Sequence, residues 1–244
     1  MTVTWEDLGW ERLAEGVGRC RLPVWDCTAG LVVGAGAALV VDTGSSLGEG
    51  ARVRAQARRL AGHRVTHLAL THPHFDHVFG AAAFAGAEVH GAAGVGAVFA
   101  RGGQGREALR ADAVAEGLDA GAAEDAVDAL VRVHREVDGV YPLDLGDGRR
   151  VLLADVGPGH TGQDLAVLVP GDPPVVFCGD LVEESGEPQA GPDAVPSRWP
   201  AALDRLLALG GPDALYVPGH GAVVDAAFVR SQRDALAARF GVSR

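Results

Sequence analysis

One short segment of the chain carries four side chains that could bind metal. Residues 71–77 read Thr-His-Pro-His-Phe-Asp-His and directly follow the strand-like run 65–70. Imidazole and carboxylate groups are the ligands that borderline divalent cations accept at neutral pH. Because the whole chain has only nine histidines, this clustering indicates a metal site rather than a polar loop. The segment is predicted to form a turn between a strand and a helix.

Further candidate ligands follow later strands of the chain. His160 lies in a loop bounded by glycines, Asp180 follows an apolar strand, and His220 follows another. A strand end can fix a side chain rigidly at a common edge of a sheet. We therefore expect these three residues to converge with the cluster at 71–77.

Hydrophobic patterning predicts strands and helices in both halves of the chain. Glycine-separated apolar runs in the first 41 residues predict antiparallel hairpins, and an amphipathic helix is expected over 48–61. Strands in hairpins flanked by helices indicate two sheets packed face to face with helices outside. The second half is predicted to hold strands 149–154, 165–169, 175–178 and 214–217 and helices 199–209 and 225–239.

Between the two halves lies the polar, alanine-rich segment 100–140. We interpret it as a helical insertion within a single domain that spans residues 1–244. The insertion is expected either to form a lid over the site or to be a solvated helix pair.

Composition limits the partners and the compartment of the chain. The net charge is −11 and lysine is absent, which argues against a nucleic-acid partner. Residues 1–7 lack the features of a signal peptide, and no apolar stretch is long enough to span a bilayer. We therefore expect a cytoplasmic protein with no membrane partner. Cys20, Cys27 and Cys178 lack C-x-x-C spacing and are expected to be small buried hydrophobes.

The order and spacing of the candidate ligands resemble those of the metallo-β-lactamase superfamily. The resemblance begins at Asp42 in the segment 40–44 and extends to the last histidine loop. It implies an α/β (α+β) fold, a four-layer αββα sandwich with the metals at one edge. The residues that carry it are His72, His74, Asp76, His77, His160, Asp180 and His220.

The resemblance implies a dinuclear site in which two sets of ligands share one carboxylate. Asp42 would orient ligands through hydrogen bonds, and Thr71 and Thr161 are expected either to do the same or to stabilise turns. The first metal would be held by His72, His74 and His160, the second by Asp76, His77 and His220, and Asp180 would bridge both.

Such a site favours hydrolysis of a small-molecule substrate. Two divalent ions about 3.5 to 4 Å apart can share a hydroxide, lower its pKa and polarise a substrate oxygen. Asp76 or Asp180 is expected to receive the proton and pass it to the leaving group. We therefore predict a hydrolase of a small ester, thioester, lactone or amide with two Zn²⁺, although iron or manganese also suits these ligands.

Two alternatives stay open. The ligand pattern is also similar to that of single-iron persulfide dioxygenases, which predicts an iron-dependent oxygenase acting on a small thiol or persulfide. The other alternative is a non-enzymatic binding module in which the metals only hold loops together. It is disfavoured because structural zinc sites close with four protein ligands, whereas these seven would form two incomplete shells.

Sequence differences from better-characterised members of the superfamily limit the range of expected substrates. Asp180 stands where β-lactamases of the superfamily use a cysteine ligand, and residues 221–244 leave no room for the C-terminal helices of glyoxalase II. Acyl-homoserine lactonases place a tyrosine shortly after the bridging aspartate, whereas this chain has Leu181 and Val182 there. Lactonase activity therefore stays one of several hypotheses.

The proline-rich loop between Asp180 and the next helix is expected to face the substrate. Its candidate side chains are Glu183, Glu184, Arg198 and Trp199. We expect Arg198 to pair with a neighbouring glutamate and Trp199 to anchor the following helix in the core. The remaining histidines lack ligand-like spacing and are expected outside the site, namely His63, His67, His90 and His134.

Overall fold

The N-terminal half of the chain forms a seven-stranded sheet. The computed structural model describes residues 3–242. Across the sheet, the first three pairs of neighbouring strands are antiparallel and the last three are parallel. The direction changes because short hairpins join the early strands, whereas helical crossovers join the later ones. In spatial order the strands are β1 (Glu11–Ala14), β2 (Val17–Arg21), β3 (Thr28–Val33), β4 (Ala38–Val41), β5 (His67–Ala69), β6 (Glu88–Ala92) and β7 (Arg135–Val137).

The C-terminal half forms a five-stranded sheet. Its strands pair antiparallel except for the last two, which are parallel because a helix connects them. Each strand pairs with the next one along the chain, in the order β8 (Val140–Asp144), β9 (Arg150–Asp155), β10 (Leu165–Val169), β11 (Val175–Glu183) and β12 (Leu215–His220).

Helices cover the outer faces of both sheets. The first helix begins where the Ser46 hydroxyl accepts a hydrogen bond from the Glu49 amide at 3.2 Å, and it ends at Gly62, whose φ is 75°. The α-helices are α1 (Leu47–Ala61), α2 (Phe75–Val78), α3 (Val95–Val98), α4 (Gln104–Ala115), α5 (Ala120–Asp128), α6 (Trp199–Gly210) and α7 (Ala226–Phe240). Among residues 3–242, no helix is both long and apolar enough to cross a membrane.

Three apolar clusters separate the four layers. One lies between the first sheet and its helices around Leu68 and Phe79, and another lies between the two sheets around Leu39 and Val167. The third lies between the second sheet and α6 and α7, with Trp199 at its centre. Each fully buried aliphatic side chain contributes about 1.5 to 3 kcal/mol, so these clusters hold the layers together. The αββα sandwich predicted from the resemblance is confirmed.

The segment 100–140 is helical only in part. It contains α4 and α5, but its C-terminal end forms β7 and the start of β8. The prediction of a helical insertion over the whole range was therefore wrong at this end. Strand β7 is only three residues long, which is too short a run to distinguish from a loop by periodicity.

Candidate metal centre

The seven predicted ligands meet at one edge of the sandwich. They come from the ends of strands of both sheets, because the two sheets present these strand ends on the same side. His72 and His74 follow β5, Asp76 and His77 lie in α2, His160 lies between β9 and β10, Asp180 lies within β11, and His220 ends β12.

One group of side chains surrounds a point next to β5. His72, His74, His160 and Asp180 each offer one ligand atom, and these atoms all lie within 4.8 Å of one another. His160 Nε2 lies 3.0 Å from His74 Nδ1 and 3.5 Å from Asp180 Oδ2. His72 Nε2 lies 3.7 Å from the same oxygen. Three imidazoles and a carboxylate thus face a common centre.

A second group lies on the other side of Asp180. His77, Asp180 and His220 also offer ligand atoms within 4.8 Å of one another. His220 Nε2 is 3.3 Å from Asp180 Oδ2, and His77 Nε2 is 3.2 Å from Asp180 Oδ1. Asp76 Oδ2 joins this group at 3.2 Å from His220 Nε2. The carboxylate of Asp180 therefore lies between the two groups.

In two of the predicted ligand histidines, the ring nitrogen that points away from the site donates a hydrogen bond to a backbone carbonyl. His160 Nδ1 donates to the Gln189 carbonyl at 3.1 Å, and His220 Nδ1 donates to the Trp25 carbonyl at 2.7 Å. A carbonyl oxygen can only accept, so Nδ1 carries a proton in each ring and Nε2 is the nitrogen that can bind a cation once it has lost its own proton.

His74 presents Nδ1 to the site instead of Nε2. Its Nε2 lies 3.1 Å from the carboxylate of Asp193, while its Nδ1 faces His160. Asp193 thereby selects the tautomer whose Nδ1 is free to bind a cation. The loop after β11 thus supports the site through Asp193 and Gln189, two residues that the sequence analysis did not single out.

Asp42 links the two groups of predicted ligands through hydrogen bonds. Its carboxylate accepts hydrogen bonds from the Thr71 amide at 2.8 Å, the Thr71 hydroxyl at 2.7 Å and His77 Nδ1 at 2.9 Å. The Thr71 hydroxyl in turn lies 3.0 Å from His72 Nδ1 and can accept its proton. One buried carboxylate therefore orients a histidine of each group.

Buried atoms without partners show that the residues fit a cation. His72 Nε2 and Asp180 Oδ1 are buried, and neither forms a hydrogen bond with any residue in 3–242. An unsatisfied buried polar atom costs about 1 to 3 kcal/mol, and more when it is charged. A divalent cation between these atoms would remove that cost, because imidazole and carboxylate lone pairs are its natural ligands.

The electrostatics of the site also suit a cation. Burial lowers the pKa of His160 to about 4, which keeps this imidazole neutral and able to bind metal. Burial opposes ionisation of Asp180 as well, but His220 and His77 hold the pKa of Asp180 well below its usual value. Burial likewise opposes charge on His220, whereas Asp180 raises the pKa of His220 to about 12. The proton on His220 thus offsets the negative charge of the Asp180 carboxylate, a charge that a bound metal would otherwise offset.

Thr161 and Asp164 hold the loop that carries His160. The Asp164 carboxylate accepts hydrogen bonds from the Thr161 amide at 3.0 Å and from its hydroxyl at 2.8 Å. Thr161 therefore stabilises a turn, whereas Thr71 contacts a ligand histidine directly. Burial raises the pKa of Asp164 to about 7.

Cys27 is a neighbour of the site that sequence spacing did not indicate. Its Sγ lies 3.6 Å from His77 Nδ1, and it forms a further group of possible ligands with Asp76 and His77. All three cysteines are free and buried, as expected, but only Cys27 contacts a ligand histidine among the described residues. A lone cysteine near the start of a strand carries no spacing signal that could have predicted this contact.

Of the candidates proposed for the loop after Asp180, Trp199 contacts a predicted ligand, because its ring packs edge-on against that of His160 with centroids 5.3 Å apart. Glu183 belongs to β11 and accepts a hydrogen bond from the Ser185 amide, and Glu184 accepts one from the Ala222 amide. Arg198 is exposed and has no ion pair with another residue in 3–242, contrary to expectation. Trp199 is buried and donates to the Leu181 carbonyl at 3.0 Å, so it anchors α6 as predicted.

A cavity of about 320 Å³ opens beside His74. Helix α4 forms one wall with Leu109 and Asp112, and the loop after β11 forms the opposite wall with Asp193. Most of its lining is apolar. Burial raises the pKa of Asp112, which weakens the tendency of this carboxyl to ionise.

Solved structures with the same architecture cover nearly all of this chain. TMB-1 aligns with a TM-score of 0.66 at 19% identity over 95% of this chain and 97% of its own. A metallo-beta-lactamase from Hirschia baltica aligns with a TM-score of 0.66 at 15% identity over 93% and 96%. FIM-1 from Pseudomonas aeruginosa, in a mono-zinc form, aligns with a TM-score of 0.68 at 19% identity over 96% of each chain.

A family model identifies the chain more directly than these structures, whose low identity shows the fold alone. No curated protein matches the sequence. The model of the metallo-beta-lactamase superfamily matches residues 22–220, which include all seven predicted ligands. Together with the His and Asp clusters, this match supports a metal-dependent hydrolase. The chain therefore belongs to the metallo-beta-lactamase superfamily.

Proposed function

We propose that this single-domain protein is a dinuclear metallohydrolase that cleaves a small ester, thioester, lactone or amide. The observation that carries the proposal is the position of Asp180 within ligand distance of both histidine groups. In this proposal His72, His74 and His160 bind the first cation, and Asp180 bridges to a second one. The second is bound by Asp76, His77 and His220.

Zinc is the first choice of metal. The proposed ligands are mainly imidazoles and carboxylates, which zinc binds readily, and FIM-1 is described in a mono-zinc form. Iron and manganese also accept these ligands, so metal analysis of the purified protein must identify the metal.

The chemistry follows from what the surrounding residues can do. Divalent cations held here would supply a hydroxide nucleophile at neutral pH and polarise the scissile carbonyl. Burial opposes ionisation of Asp76, but His77 and His220 keep the pKa of Asp76 far below neutral. Asp76 is therefore ionised at neutral pH, as a metal ligand must be. In this proposal Asp76 also receives the proton during attack and passes it to the leaving group. Asp180 is the other candidate for this role.

The cavity beside His74 is the proposed substrate site. Its apolar lining suits an acyl chain or ring of a few carbons, because apolar surface is removed from water on binding. Helix α4 forms one wall, so we propose that the helical part of segment 100–140 acts as a lid. Asp112 and Asp193 would disfavour an anionic substrate group at this end of the cavity.

Metal analysis with a substrate panel tests the proposal. We expect about two zinc ions per chain after purification without added metal. The same preparation should hydrolyse at least one member of a panel of esters, thioesters, lactones and amides. About one iron per chain, oxygen uptake with a small thiol, and no hydrolysis would replace the proposal with the oxygenase. Full metal loading without any activity would favour the binding module.

Substitution of the bridging residue tests the assignment of ligands. Asp180→Ala should lower the metal content of both sites and abolish hydrolysis, whereas Asp76→Ala should mainly deplete the second site. Asp147→Ala, in an exposed turn, is the control and should change neither. If Asp180→Ala left both metal content and hydrolysis unchanged, the bridging assignment would be wrong.

A further inference from the structure

Two histidines that the sequence spacing did not connect, His67 and His90, lie side by side on neighbouring parallel strands. His67 begins β5 and Glu88 begins β6, and these two residues are paired in register. His90 lies two residues after Glu88 and therefore on the same face of β6. The metal centre lies beyond the other end of β5, so this cluster is separate from it.

The three side chains have ligand geometry. His67 Nδ1 lies 3.3 Å from His90 Nε2 and 3.9 Å from Glu88 Oε2, and all three residues offer ligand atoms within 4.8 Å of one another. In a tetrahedral zinc site with Zn–N bonds of about 2.0 to 2.1 Å, two ligand nitrogens are about 3.3 to 3.4 Å apart. The imidazole pair already has this separation. The Glu88 side chain is partly exposed and can rotate toward them.

Both imidazoles are in the neutral form, which can bind a cation. Burial lowers the pKa of His90 to about 4 and also lowers that of His67, so both rings are neutral at physiological pH. Only one proton fits between the two facing nitrogens, so at least one of them presents a lone pair. Through Oε2, the carboxylate of Glu88 then faces a neutral ring.

The surroundings hold His90 in place while leaving the cluster accessible. The ring of Tyr141 stacks on that of His90 with centroids 6.1 Å apart, and the Arg135 guanidinium lies 4.5 Å from the centroid of Tyr141. Arg135 Nε approaches Glu88 through Oε1 at 3.7 Å, whereas Oε2 faces His67. The His67 and Glu88 side chains reach solvent, which gives an ion a path of entry.

We propose that His67, Glu88 and His90 form a separate cation site that binds zinc or a related imidazole-binding divalent ion. Three protein ligands leave one position for water or for an external ligand. Bound metal would tie β5 to β6 through residues that lie outside the metal centre. The proposal is independent of the proposed function, because it requires no hydrolysis.

Zinc titration of the full chain tests this site. The protein is first loaded at the metal centre and freed of excess metal, and then titrated with Zn²⁺ in a calorimeter. Wild type should bind one further ion per chain. Both His67→Gln and Glu88→Gln should weaken that step by at least about tenfold, because each removes a direct ligand. His63→Gln is the control, since His63 is equally half-buried but outside the cluster.

The comparison between variants decides the outcome. Equal zinc binding in wild type, His67→Gln and Glu88→Gln would overturn the proposal. An equal loss in His63→Gln would also overturn it, because binding would then reflect surface histidines in general. Glu88 is partly exposed and its long contact with Arg135 contributes little to stability, so Glu88→Gln should fold normally. Metal retained at the metal centre verifies this.

Discussion

The Nδ1 atom of His77 lies 2.9 Å from Oδ2 of Asp42, and both side chains are buried. Asp42 has a φ of 56°, a left-handed conformation that Asp and Asn adopt more easily than other residues with a Cβ. This backbone directs the carboxylate at once toward His77 and toward Thr71 after β5. One residue before α1 therefore orients two of the proposed ligands, His77 directly and His72 through Thr71.

Replacing Asp42 should therefore disturb the metal centre without direct loss of a ligand. In Asp42→Asn, the amide NH₂ would face either the Thr71 backbone amide at the Oδ1 position or both His77 Nδ1 and the Thr71 hydroxyl at the Oδ2 position, so at least one hydrogen bond is lost. We expect metal affinity to fall about 10- to 100-fold, as for other partners of ligand histidines. Competition with a chelator of known affinity measures this change.

Asp147→Asn provides a matched control, because Asp147 also has a positive φ of 48° but lies in an exposed turn. It should leave metal affinity unchanged. Equal affinities of Asp42→Asn and wild type would show that the His77 tautomer does not depend on Asp42.

Much of the fold follows from local patterns in the sequence. The amphipathic helix expected over 48–61 forms α1, and the two-sheet sandwich is confirmed. β1 and β6 were not predicted, because β1 has two exposed and two half-buried residues and β6 contains both Glu88 and His90. Polar side chains in a strand remove the hydrophobic alternation by which a strand is recognised.

The sequence predicted side chains with ligand chemistry but not the residues that support them. The spacing at 71–77 is local, so it can be read directly from the chain. Asp193 is separated from His74 by more than a hundred residues, and Cys27 and His77 are 50 residues apart in the chain but meet in the fold. The pair His67 and His90 likewise converges only through parallel strand pairing. Contacts of this kind depend on tertiary structure and leave no periodic signal.

The close approach of Gly219 to Asp180 yields a second prediction. A Cβ added at Gly219 would lie 1.8 Å from Asp180 Oδ1, so the proposed bridging carboxylate would have to move. Gly219→Ala should deplete metal from both sites and destabilise the fold by about 1 to 3 kcal/mol through overpacking. Elemental analysis and denaturant unfolding measure the two effects.

Gly162→Ala tests whether any glycine near the ligands would give the same result. Gly162 lies in the loop of His160, but a Cβ there would meet nothing within 4 Å. This variant should retain full metal content. Normal metal content in Gly219→Ala would mean that Asp180 can shift without loss of binding.

The cavity beside His74 leads to a third prediction. Ala108 lines it from α4, so Ala108→Phe would fill part of its volume. The KM for substrates with a bulky apolar group should rise at least about tenfold, a typical effect of steric change in an apolar pocket. The kcat for the smallest accepted substrate should stay near the wild-type value.

Ala111→Phe is the corresponding control, because Ala111 is exposed on the same helix but does not line the cavity. It should leave both kinetic constants unchanged. If Ala108→Phe and wild type accepted bulky and small substrates equally, the substrate would not bind against α4.

The buried carboxyl of Asp164 predicts a pH-dependent stability. Burial raises its pKa from 3.8 to about 7 in the folded state, so folding favours the protonated form. Its contribution is complete below about pH 4 and is lost as the pH rises toward and through 7. In Asp164→Asn, a neutral amide can still accept the hydrogen bonds of Thr161 but cannot ionise. Between pH 4 and 8, the free energy of unfolding of wild type should therefore fall relative to the variant by about 1 to 4 kcal/mol. Denaturant unfolding of both proteins at matched metal content measures this difference, and parallel pH profiles would show that Asp164 keeps an ordinary pKa.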